Sequence, residues 1–148
     1  MEIIVIGPEH PCIRCVTTFK FAKEIAQEFP GKIEARKIFT NSEEAKRYGR
    51  AEGGLQISQI EKVDHDNKGI ERLMGEIDEL KPDEEKNWNL IERKMQEIQE
   101  KLTPLTKKAE EAGYLMTPVL IINGKVKASG YVPKKEKIRE WVKSELKR

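Results

Sequence analysis

The chain has 148 residues, 36% of them charged and 37% apolar, with a formal net charge of only +2. That length suits one ordinary domain able to bury a core without staples, and the balanced charge argues against a nucleic-acid partner, which calls for a net basic face. No stretch approaches the roughly 20 consecutive apolar residues that span a bilayer, so no membrane partner is expected either.

The opening MEIIVIGPEH carries neither a basic leader nor a cleavage region, which sets the expectation of a cytoplasmic protein. Glu outnumbers Asp and Lys outnumbers Arg, a bias associated with proteins from hot environments. Residues 2–6, EIIVI, form a β-branched run closed by Gly7-Pro8, the pattern of a buried strand and a turn. Both cysteines follow, in EHPCIRC at 9–15. From there Cys15, Phe19, Ala22, Ala26 and Phe29 recur at steps of three and four, one face of a helix stopped by Pro30-Gly31. KIEARKIF, 32–39, reads as a second strand despite Arg36 and Lys37 in its interior. The first forty residues are therefore a βαβ unit whose helix starts at the cysteines.

A polar, mostly helical stretch runs from about 40 to 113. Its first part, NSEEAKRYGRAEGGLQ, has scattered glycines and weak periodicity and is expected to be partly loop. Ile70, Leu73, Met74, Ile77 and Leu80 then mark a helical face that Pro82 interrupts. From Trp88 the apolar positions Ile91, Met95, Ile98, Leu102, Leu105, Ala109 and Ala112 follow a heptad seam, which packs one helix lengthwise on another. The partner is expected to be the 70–80 helix, in this chain or in a second copy as a homodimer. Pro104, with Thr103 as a fitting N-cap, predicts a break near 103 and a fresh helix over 104–112. TPVLII at 117–122, the turn Asn123-Gly124 and KVKAS predict an antiparallel hairpin. After Pro133, Ile138, Trp141, Val142 and Leu146 form the buried stripe of a last helix.

The chemistry rests on the cysteines. In a reducing compartment a C-x-x-C pair is no permanent staple, which leaves a metal site or a redox site. Cys12, at the first turn of the helix, faces unpaired N–H groups and the positive end of the helix dipole, so it is expected to be the more acidic thiol and the attacking nucleophile. Cys15, one turn in and more buried, suits the thiol that resolves the mixed disulfide. A metal alternative would gather His10, Cys12, Cys15 and His65, the only cysteines and histidines in the chain. Against it, His65 lies in the polar VDHDNKG and the His10 to Cys12 spacing is tight for joint chelation, so redox chemistry without a bound metal is expected. His10 reads either as a charge-stabilising neighbour of the thiolate or as a plain loop residue. Arg14 reads either as a cation that lowers thiol pKa values or as a solvated surface residue.

Strand, C-x-x-C at a helix start, second strand and, later, Thr-Pro opening a strand, hairpin and final helix together resemble the thioredoxin-like superfamily. AEEAGYLMTPVLIINGK in particular is similar to the helix, loop and Thr-Pro strand entrance of thioredoxins, glutaredoxins and small archaeal redox proteins. The resemblance covers residues 1–39 and 104–148 and implies one α/β domain with about four strands in a mixed sheet (βαβ…ββα) and a helical insertion at 40–103. In some disulfide-forming members such insertions roof the active-site groove. It also implies thiol-disulfide exchange on a protein or glutathione-like small-thiol disulfide. Cys12 and Cys15 would be catalytic, and Thr117 with a cis-bonded Pro118 would hold the substrate. No cofactor is implied, only a reductase or thiol as electron donor. No Trp precedes Cys12, and the residues between the cysteines are Ile13-Arg14. A non-catalytic metal- or partner-binding module of the same fold is the alternative.

Overall fold

The structure is a computed structural model describing residues 1–9 and 12–147. In chain order its elements are β1 (Glu2–Gly7), α1 (Ile13–Gln27), β2 (Glu34–Phe39), α2 (Glu43–Lys46), β3 (Ala51–Glu52), α3 (Gly54–Glu61), α4 (Asn67–Leu80), α5 (Glu84–Ala112), β4 (Leu115–Met116), β5 (Val119–Ile122), β6 (Lys125–Ser129) and α6 (Lys135–Leu146), with a 3-10 turn at Lys81–Asp83. Four strands form a mixed sheet in the order β2, β1, β5, β6. β1 runs parallel to β2 and antiparallel to β5, and β5 is antiparallel to β6. The hairpin turns at Asn123-Gly124, with φ of 52° and 77°, the double left-handed geometry that an Asn-Gly pair supplies at least cost.

The unbroken apolar runs of β1 and β5 follow from burial on both faces. On one face Ile3, Val5, Leu120 and Ile122 pack against Ala22 and Ile25 of α1 and Ile138 and Val142 of α6. On the other, Ile4, Ile6, Val119 and Ile121 pack with Ile38, Ala45 and Ala51. β2 tolerates Arg36 because it is an edge strand, where the guanidinium pairs with Glu2 and Glu44. In α6 the stripe ends on Glu145, not Leu146: Leu146 is exposed, while the buried Glu145 pairs with Lys125 of β6 at 2.8 Å.

The helical segment forms its own core. Ile70, Leu73 and Ile77 of α4 pack on Ile91, Met95 and Ile98 of α5, and the cluster continues through Leu102, Leu105 and Ala109 to Ile57 and Met116. The expected hairpin thus closes within the chain, and α4 covers the seam. Met74 and Ala112 lie outside it, exposed. The break expected near 103 does not occur, since α5 runs unbroken through Pro104. Proline in a helix interior costs about 3 kcal/mol. Burying Leu102 and Leu105 on either side contributes about 1.5–3 kcal/mol each. Pro104 and Glu100, whose carbonyl the proline leaves without a donor, both lie on the exposed face. Thr103 bonds back to the Gln99 carbonyl at 3.3 Å instead of capping a new helix. Among the described residues no helix is long and apolar enough to cross a membrane.

The expected loop after β2 holds more order than its composition suggests. Ser42 caps α2 by accepting from the Ala45 N–H at 3.1 Å. β3 pairs in parallel with β4, through Leu115 N–H to Arg50 O at 2.8 Å and Thr117 N–H to Glu52 O at 3.0 Å. α3 is anchored by one fully buried side chain, Ile57.

Candidate active site

Cys12 stands at the N-cap of α1 in extended backbone, its carbonyl accepting the first helical bond from Val16 N–H at 2.8 Å. Its side chain is partly exposed, whereas Cys15, one turn on, is 0% exposed. Both are free thiols. Cys15 is seated against the end of β1 because residue 7 has no side chain. A Cβ there would come within 3.2 Å of the Cys15 Cβ and 3.3 Å of its sulfur. Gly7→Ala is therefore expected to displace Cys15 and to cost about 1–3 kcal/mol by overpacking. Denaturant unfolding checks it; unchanged stability would mean that the strand end yields freely.

Arg14, between the cysteines, is not a surface residue. It is 5% exposed, and its guanidinium donates to the Gln99 side-chain oxygen at 2.7 Å, to the Gly130 carbonyl at 2.9 Å and to the Thr117 carbonyl at 3.2 Å. Gln99 in turn donates its amide to the Gly130 carbonyl at 2.9 Å, and Gly130 N–H bonds to the Pro118 carbonyl at 3.0 Å. One planar fork thus joins the start of α1, the middle of α5 and both ends of the β5–β6 hairpin. The Thr117-Pro118 peptide is cis and both residues are buried. With its N–H given to Glu52 and its carbonyl bonded to Arg14, the Thr117 main chain is engaged on both sides.

The same face of α1 continues along α5 in antiparallel order. Thr17 bonds to the Met95 sulfur at 3.4 Å, Phe21 meets Trp88 edge-on at 6.1 Å, and Lys20 lies 4.8 Å over the Trp88 ring. Gln99 also lines a cleft of about 710 Å³ with Phe21, Trp88, Met95 and Tyr131.

The electrostatics separate the two thiols. Cys12 is lowered to about 5, chiefly because the Cys15 thiol donates to its sulfur, with help from the Cys15 N–H, the Arg14 charge and the Arg14 N–H against the opposing effect of burial. No hydrogen bond of cap geometry closes on Cys12, so the two peptide groups act as nearby aligned dipoles. Cys15 is pushed strongly upward, first by its bond to Cys12 and then by burial, while Arg14 and Lys37 pull the other way.

A thioredoxin-domain family model matches residues 87–143. Over those residues the chain is similar to a thioredoxin domain, in keeping with its mixed four-stranded sheet. The match takes in most of α5, the cis Thr117-Pro118, the hairpin and much of α6, and the cysteines lie outside it. No curated protein and no solved structure matches the chain.

Within this site Arg14 joins the start of the cysteine helix to Thr117, but His65 takes no part. It lies between α3 and α4, and among the described residues no group of three or more His, Cys, Asp or Glu side chains is placed to hold a metal. His10 lies outside the described residues. Two contributors escaped the sequence reading. Gln99 had no signal, being one polar position among many beside the apolar seam of α5. Lys37 did have one, as a charge in the strand next to β1, and it acts on Cys15 from β2.

Proposed function

We propose that the chain is a thiol-disulfide oxidoreductase in which Cys12 attacks and Cys15 resolves. The reading rests on the inequality of the two thiols, one partly exposed at a helix start and the other sealed behind it. The Cys12 thiolate attacks one sulfur of a substrate disulfide, forming a mixed disulfide and releasing the other half as a thiolate. That step removes the charge that held the Cys15 proton, leaving Arg14 and Lys37 to favour its loss. Cys15 then attacks the Cys12 sulfur, closes the Cys12–Cys15 bond and releases the second substrate thiolate, which takes the proton. An external thiol donor or reductase reverses the cycle, without a bound cofactor. Protein and small-thiol disulfides both fit this chemistry, and a reducing cytoplasm fits a dithiol resting state.

Alkylation tests the assignment. Because the folded pKa of Cys12 lies below that of a free thiol, its thiolate persists as pH falls until about 5. Iodoacetamide labelling of Cys12 is therefore expected to be near its plateau at pH 7 and half-maximal near 5, with Cys15 unlabelled until the protein is denatured. Equal rates at the two positions would overturn the roles.

A further inference from the structure

Arg14 is a buried cation whose hydrogen-bond partners are all neutral: the Gln99 amide oxygen and the carbonyls of Gly130 and Thr117. Among the described residues the charges that act on it are those of Cys12 and Cys15. A guanidinium withdrawn from water needs an opposite charge nearby. Here that charge is the Cys12 thiolate, which exists only while the pair is reduced. Oxidation of the pair by a disulfide RS–SR gives Cys12–S–S–Cys15, RSH and RS⁻. The negative charge departs with the product thiolate, the proton of Cys15 goes to the other product sulfur, and Arg14 stays behind without a counter-ion.

We infer that Arg14, fixed in place by Gln99 of α5, biases the exchange equilibrium toward the reduced pair, which makes the oxidised form a stronger disulfide donor than it would be without the cation. The inference rests on the exchange chemistry proposed above. Among the described residues the surroundings offer no other compensation. Lys37 on β2 adds a second positive charge, α5 presents a neutral amide, and Thr117 and Gly130 present only carbonyls. Gln99 is a positioning residue: it accepts from Arg14 and shares with it the Gly130 carbonyl. A carboxylate at position 99 would give Arg14 a partner that survives oxidation.

The test equilibrates the full chain with mixtures of reduced and oxidised glutathione and reads the disulfide fraction by mass after acid quenching. Gln99→Glu keeps the acceptor for Arg14 and supplies the missing charge; Arg14→Gln removes the cation. An opposite charge at close range is worth at least about one pKa unit, so each variant is expected to form the Cys12–Cys15 disulfide about tenfold more readily than wild type at pH 7. The gap is expected to close as pH falls through about 5, where wild-type Cys12 becomes a thiol and the reduced site also loses its negative charge. A gap independent of pH, or a folded Gln99→Glu protein within twofold of wild type at pH 7, would overturn the inference. Should Arg14→Gln not fold, Gln99→Glu decides alone. Failure of the wild-type chain to form any disulfide would instead overturn the exchange reading itself.

Discussion

Replacing Cys12 by Ser is expected to abolish dithiothreitol-driven insulin reduction, a loss of about 10³-fold or more, while far-UV circular dichroism stays that of wild type. A serine hydroxyl at the α1 N-cap stays un-ionised at neutral pH, and the thiol that remains, Cys15, is fully buried and out of reach of a substrate disulfide. The side chain is partly exposed and makes no cap hydrogen bond that folding depends on, so activity and stability should separate cleanly. Cys15→Ser has a different signature. The first attack still occurs, and the protein accumulates as a stable mixed disulfide with its substrate, visible as an added mass removed by reductant. Full activity in Cys12→Ser would sink the nucleophile assignment, and rapid turnover in Cys15→Ser would sink the resolving role.

Leu105→Ala is expected to be the most damaging single truncation in the helical core, at about 2–5 kcal/mol. Leu105 is 0% exposed and belongs to the cluster that joins α4 and α5 to Ile57 of α3 and Met116 of β4. Neighbours on three separate elements cannot all collapse into the space it leaves. At about 2–4 °C per kcal/mol for a chain of this size, thermal unfolding should drop by roughly 10 °C. Met116 directly precedes Thr117, so the loss should also loosen the cis-proline entrance. Exchange activity measured well below the melting point is expected to fall, and unchanged activity there would argue that the helical core and the site are mechanically separate.

Local signals and distant contacts account for what could be read in advance. β1, the Asn123-Gly124 hairpin and the start of α1 were legible because apolar runs, turn chemistry and helix spacing act within a few residues. The thioredoxin-like fold followed from their order, together with Thr117-Pro118. At Pro104 a local rule met a stronger nonlocal one: buried leucines on both sides keep the helix continuous through a residue that would end an isolated one. β3 and α3 were hidden because two paired residues and one buried isoleucine leave almost no periodicity. Arg14 stayed ambiguous for the same reason at longer range. Its burial depends on Gln99, Thr117 and Gly130, 85, 103 and 116 positions away, and no window on the sequence joins them.

α5 faces two ways at once. One stripe supplies the seam that holds the helical appendage together, and its flank, with Trp88, Met95 and Gln99, meets the helix that carries the cysteines. The appendage is therefore no detachable ornament: shortening the chain to a minimal βαβ–ββα core would strip the arginine of its amide clamp and bare the flank of the cysteine helix. Evolution could lengthen, recolour or re-target the outer helix α4 without touching the thiols, but every change along α5 would be felt at both ends of that bargain.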